Sequence, residues 1–84
     1  MQITVLFFAG LREALGHTAI RLELPPHVGN VGALRDYLIA QGPEWAALGS
    51  ARNLRAAVNQ QMAGFDAPIE ADDEIAFFPP VTGG

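Results

Sequence analysis

Residues 2–8 alternate and are rich in β-formers, which predicts a strand with Ile3, Val5 and Phe7 on one face. From Gly10 the spacing changes: Leu11, Ala14 and Leu15 fall on one helical face, and Gly16 is placed to cap a single short helix. Alternation returns at 18–24, where Ile20, Leu22 and Leu24 point one way and Ala19, Arg21 and Glu23 the other. Pro25-Pro26 ends this strand, because neither residue can donate a ladder hydrogen bond. Asn30 is suited to cap a helix from Val31 to about Gln41, with an apolar face of Val31, Leu34, Tyr37, Leu38 and Ile39. Gly42-Pro43 stops it, and Pro43 at a first helical position opens a second short helix through Trp45 and Leu48. Leu54 to Asn59 predicts a third strand with Ala56 and Val58 inward. Residues 59–66 are turn-rich, Asp66-Ala67-Pro68-Ile69 forms a tight connection, and Asp72-Asp73 turns the chain into a last strand, Glu74 to Phe78. Pro79-Pro80 ends that strand and leaves Val81-Thr82-Gly83-Gly84 as a tail.

This order gives an α+β domain, a mixed sheet of four or five strands packed on one main helix. The first and last strands are both strongly apolar, which puts them side by side at the centre. That arrangement is the β-grasp, or ubiquitin-like, fold. It occupies residues 1–78, with 79–84 as an extended, flexible tail. A sheet covered on one face normally shows water a polar alternate face. Here the outward sets are Thr4, Leu6 and Phe8 on the first strand and Glu74, Ala76 and Phe78 on the last. As neighbours, these strands would present Leu6, Phe8, Ala76 and Phe78 as one apolar patch, extended by Met62 from a nearby turn. A loop or the second short helix could cover it; the preferred reading is a protein-docking face beside the tail.

The chain is 84 residues long and half hydrophobic, so it makes one domain and buries roughly 60–65% of its unfolded surface. It has no cysteine, which excludes a Cys nucleophile, a thiolate metal site and a cysteine-based sulfur relay within the chain. Five basic residues face nine acidic ones, a net charge of −4. That balance gives no electrostatic footprint for nucleic acid or an anionic membrane. All the basic residues are arginines (Arg12, Arg21, Arg35, Arg52 and Arg55), so no side-chain amine here can accept an isopeptide bond. Met1-Gln2-Ile3-Thr4 is not the start of a signal peptide, and the longest apolar run is far too short to span a membrane. A soluble, cytoplasmic protein is expected.

The end of the chain carries the most specific chemistry. A residue before proline is pushed out of the helical region, so Phe78-Pro79-Pro80 sets an extended exit. Residues 79–84 can then reach roughly 20 Å at about 3.3 Å each. Gly83 and Gly84 lack Cβ atoms, which lets the backbone enter a narrow active site. Gly-Gly alone fits a frayed terminus better. In this sequence it follows Ala57-Val58-Asn59-Gln60, Asp66-Ala67-Pro68-Ile69 and Asp73-Glu74-Ile75-Ala76-Phe77-Phe78-Pro79-Pro80-Val81-Thr82. These segments closely resemble the small-subunit family of molybdopterin synthases, as does Val5-Leu6-Phe7-Phe8-Ala9 with Leu11-Arg12-Glu13. The resemblance covers nearly the whole chain and is weakest around 40–55. Related thiamine-pathway carriers share Gly-Gly but usually lack the aromatic-proline approach.

The resemblance implies a sulfur carrier of molybdenum cofactor biosynthesis rather than an enzyme. The Gly84 carboxylate would be adenylated with ATP by a ubiquitin-activating-like adenylyltransferase. A sulfur-donor protein would convert it to a thiocarboxylate, and the large synthase subunit would pass that sulfur to cyclic pyranopterin monophosphate. Phe8, Met62 and Phe78 match docking positions, Arg12 matches a position that pairs with an acidic partner group, and 79–83 enter the partner. No cofactor is expected to bind the chain itself. The family usually has glycine at Asp72, which predicts a positive φ there at a small cost in stability. Gly32 in the first turn of the main helix weakens it by up to about 1 kcal/mol. Glu70, Asp72, Asp73 and Glu74 lack calcium-loop spacing and read as a solvated turn. His17 and His27 read as surface residues. Three alternatives stay open on the sequence: a carrier for thiamine or tRNA thiolation, a ubiquitin-like protein modifier, and a plain β-grasp interaction module.

Overall fold

The computed structural model describes residues 1–51 and 53–80. Alternation in the first strand, β1 (Gln2–Phe7), buries Ile3, Val5 and Phe7 completely and leaves Thr4 and Leu6 half-buried. Four more strands follow: β2 (Ala19–Glu23), β3 (Arg55–Val58), β4 (Gln61–Ala63) and β5 (Glu74–Phe78). Their order across the sheet is β2-β1-β5-β3-β4. β1 and β5 run parallel at the centre, with Val5 opposite Ile75 and Phe7 opposite Phe77, and the other pairings are antiparallel. The two most apolar strands therefore sit together, as their composition predicts.

Three helices, α1 (Gly10–Leu15), α2 (Val31–Ile39) and α3 (Ala47–Ser50), pack on one face of this sheet. Leu11 and Leu15, then Val31, Leu34 and Leu38, then Leu48 join Ile3, Val5, Phe7, Ile75 and Phe77 in a single core. A 3₁₀ turn at Pro43–Trp45 brings the Trp45 ring 5.8 Å from Phe7, which lies 6.4 Å from Phe77. Burying aromatic pairs of this kind contributes about 0.5–1.5 kcal/mol beyond the area removed from water.

The start of α2 shows why it forms where it does. Asn30 is extended, and its Oδ1 accepts from the Ala33 N–H at 2.7 Å, the expected cap. The Val31 and Gly32 N–H groups donate to the Ala67 and Phe65 carbonyls at 3.1 and 2.7 Å. A first turn that ordinarily leaves its donors orphaned is thus fully partnered. Gly32 makes this possible: a Cβ there would lie 3.1 Å from the Phe65 carbonyl oxygen. The propensity loss expected at this glycine accompanies the close approach of the helix to the loop.

The structure changes five sequence expectations. Gln61–Ala63 is a strand, not part of a turn-rich loop, and it supplies the fifth member of the sheet. The main helix ends at Ile39, short of Gln41, and the second short helix divides into the 3₁₀ turn and α3. The third strand spans Arg55–Val58, shorter than Leu54–Asn59. Ala14 is exposed, so α1 buries only Leu11 and Leu15. Gly16 caps α1 at φ 75°, and Asp72 has φ 67°, both as the sequence implies.

Candidate functional site

Because every helix packs on the Phe7–Phe77 side, the opposite face of the sheet is bare of helices among the described residues. The registers arrange its side chains in rows. At one end Thr4 lies between Arg21 and Glu74, Arg21 donates to Thr4 Oγ1 at 3.1 Å, and its guanidinium sits 3.6 Å from Asp72. The next row is apolar across all five strands: Ala19, Leu6, Ala76, Ala57 and Met62. Ala57 and Ala76 are only 8% and 9% exposed, shaded by longer neighbours, whereas Met62 is 67% exposed at the rim.

The last row stands where the chain leaves the sheet. The Phe8 N–H donates to the Phe77 carbonyl at 3.3 Å, continuing the parallel ladder and setting Phe8 beside Phe78. Phe8 is 44% exposed and Phe78 half-buried, with Arg55 directly opposite Phe78 on β3. Ala9, at φ 53° and ψ −132°, turns the chain from β1 into α1, and Arg12 follows on that helix as an exposed residue. Such a backbone conformation is strained for alanine, and the Leu11 and Arg12 N–H bonds to the Phe8 and Ala9 carbonyls hold it.

The structure therefore brings Phe8 and Phe78 together, with Leu6, Ala76 and Met62 on the same face. Pro79 and Pro80 are half-buried at the end of β5. Val81, Thr82, Gly83 and Gly84 lie outside the described residues. The patch is shallower than the alternation implies, because Leu6 and Phe78 are half-buried and Ala76 is buried. Ala19, Ala57 and Arg55 escaped the sequence reading as members of the face. Period 2 along β2 and β3 would have found them, once the strand order was known.

Other candidate chemistry is used structurally. Asp73 accepts from the Glu70 N–H at 2.8 Å and from Asn59 Nδ2 at 2.9 Å, so the acidic cluster builds its own turn. Among the described residues no three His, Asp or Glu side chains converge as metal ligands. His17 is exposed and stacks on Trp45 at 5.3 Å, and His27 is exposed. Glu23 has its carboxyl held below the ordinary range, chiefly by a hydrogen bond from the N-terminal amine and then by Gln2. It pairs with Gln2, at the end of the sheet away from Phe78. No helix among the described residues is long and apolar enough to cross a membrane.

A helix-backed mixed sheet with parallel central strands, one bare apolar face and a proline-led exit beside it defines a ubiquitin-like β-grasp protein. SAMP1 from Haloferax volcanii shares this fold with a TM-score of 0.79 at 25% identity, over 100% of both chains. The chain belongs to the ThiS family, whose model matches residues 5–84. Curated relatives include the molybdopterin synthase sulfur carrier subunit of Escherichia coli (strain K12), 48% identical over 99% of this chain and 100% of that protein. The subunit of the same name from Haemophilus influenzae is 42% identical over the same shares.

Proposed function

We propose that this chain is the sulfur carrier subunit of a molybdopterin synthase, with the Gly84 carboxylate as its working group. The reading is carried by the bare apolar face that runs into Phe78-Pro79-Pro80, on a chain aligned end to end with the Escherichia coli carrier. A carboxylate is a poor electrophile, so an adenylating partner must first activate it. Attack of the Gly84 carboxylate on the α-phosphate of ATP releases pyrophosphate and forms an acyl-adenylate. A persulfide sulfur from a donor protein then attacks the carbonyl carbon and AMP leaves. Reduction of the resulting disulfide by a thiol leaves the thiocarboxylate. In the large subunit this sulfur passes to cyclic pyranopterin monophosphate, and water restores the carboxylate. The chain supplies an activated sulfur and a docking shape, with Phe8, Arg12, Met62 and Phe78 contacting partners and 79–83 threading the active site. General acid–base groups belong to the large subunit.

Likeness to SAMP1, a small archaeal modifier protein by name, favours one second reading: a modifier that joins Gly84 to a target lysine. Both readings begin with an acyl-adenylate, so activation does not separate them. The fate of Gly84 does. Thiocarboxylated protein incubated with the large subunit and cyclic pyranopterin monophosphate should yield dithiolene-bearing pterin, while intact mass shows the small protein back at its carboxylate form. Accumulation of a stable amide to another protein, with no sulfurated pterin, would establish the modifier reading instead.

A further inference from the structure

The five arginines are not equivalent. Arg21 is engaged by Thr4 and Asp72, and Arg35 lies against Asp36 and over the Phe65 ring, 4.7 Å from its centroid. Arg55 is exposed and has no carboxylate, hydrogen-bond or aromatic partner among the described residues. Its position is fixed, however. The β3–β5 register sets it directly opposite Phe78, on the bare face and one strand from the exit of the chain. Beside it β3 and β4 part: the last pair is Ala56 with Ala63, and a recess of about 380 Å³ opens between Leu54, Arg55, Met62, Gly64 and Phe65. An uncommitted cation thus stands between an aromatic anchor and an open recess flanked by Leu54, Met62 and Phe65, on a chain of net charge −4.

We infer that Arg55 is a specificity-determining contact for the large synthase subunit, receiving a carboxylate whose apolar neighbour fills the recess beside Met62. This rests on the carrier reading. The large subunit is the occupant because the curated relatives are subunits of a synthase and a chain of this fold is seen in complex with its partner subunit in the molybdopterin-converting factor of Helicobacter pylori. The row Phe8–Phe78–Arg55 is continuous with the docking patch. In water an exposed ion pair is worth little. Beside Phe78, under a bound protein, the same pair loses its solvent screening and gains strength and orientational value. A guanidinium suits this place because it can stack on an aromatic ring and grip a carboxylate with two parallel hydrogen bonds.

The test measures binding of the full chain to the purified large subunit, and in parallel to the adenylating enzyme, as a function of salt, for wild type, Arg55→Leu, Arg55→Glu and Phe78→Asp. Arg55→Leu should weaken binding by about tenfold and flatten the salt dependence, and Arg55→Glu should weaken it further. Melting temperatures of both Arg55 variants should match wild type, since the side chain is exposed. If Phe78→Asp weakens binding while both Arg55 variants bind like wild type, the Arg55 inference fails and the docking face stands. If Phe78→Asp also binds normally, the face itself is wrong. An Arg55 effect confined to the adenylating enzyme would overturn the assignment to the large subunit.

Discussion

Phe77 and Phe78 are adjacent, chemically identical and assigned to opposite tasks by the pleat of β5. Phe77 is fully buried against Phe7, while Phe78 is half-buried on the helix-free face beside Phe8. Phe77→Ala should therefore destabilise the protein by about 3–5 kcal/mol, the usual cost of emptying an aromatic core site. Phe78→Asp should cost only about 1 kcal/mol in stability, with its main effect on partner binding. Chemical denaturation of the two variants reads this difference directly, and equal losses would mean that the inward and outward sets are misassigned. At this scale the sequence was highly legible. Strict alternation through Ile3, Val5 and Phe7, and through Ile75 and Phe77, leaves one register that buries both sets. Depth of exposure was less legible, because Ala57 and Ala76 look like surface residues until longer neighbours shade them.

Among the elements, α2 and the loop at 64–68 are joined by backbone contacts that neither segment announces alone. Gly32 reads as a weak helix residue, but its N–H reaches the Phe65 carbonyl at 2.7 Å and a Cβ would crowd the same oxygen. The loop has little freedom to retreat: Ala67 accepts from Val31, Ile69 donates to Gly29, and Arg35 covers the Phe65 ring. Gly32→Ala should accordingly forfeit the roughly 1 kcal/mol that alanine normally gains in a helix and lower stability by a further amount of about 1 kcal/mol. Thermal denaturation of Gly32→Ala tests this, and a raised midpoint would show that the loop yields. The same dependence on context hid β4. Val58 pairs with Gln61 across a two-residue turn, Asn59-Gln60, with φ of 50° and 70°. A turn with both central residues at positive φ is the tight hairpin usually announced by Asn-Gly. Gln60 carries no such signal, and three residues of an edge strand are too few to show a period. Asn30, Gly16 and Pro25-Pro26 were legible because their chemistry is local.

Across the described residues, the core and the proposed docking face occupy different surfaces. The core lies between the sheet and its helices, whereas Phe8, Phe78 and Arg55 lie on the helix-free side. The family was legible in the sequence through the proline, glycine and aromatic pattern at the end of the chain, and the sulfur chemistry proposed for the terminal carboxylate needs reach and a slim backbone rather than a cavity. Separation of the two roles leads to a sharp expectation for removal of Gly84. Glycine has no side chain to contribute to a core. Stability should change by no more than about 0.5 kcal/mol, the range of substitutions away from packed features, which keeps the melting midpoint within about 4 °C. Binding through Phe8 and Phe78 should persist. Sulfur loading should vanish, because Gly83 would then present its carboxylate one residue short of the adenylating centre, and a displacement of that size removes the alignment that activation requires. Circular dichroism, partner binding and intact mass after incubation with the adenylating enzyme, ATP and sulfur donor measure the three quantities on one sample. A truncated protein that still gained sulfur and supported pterin conversion would move the working group off Gly84.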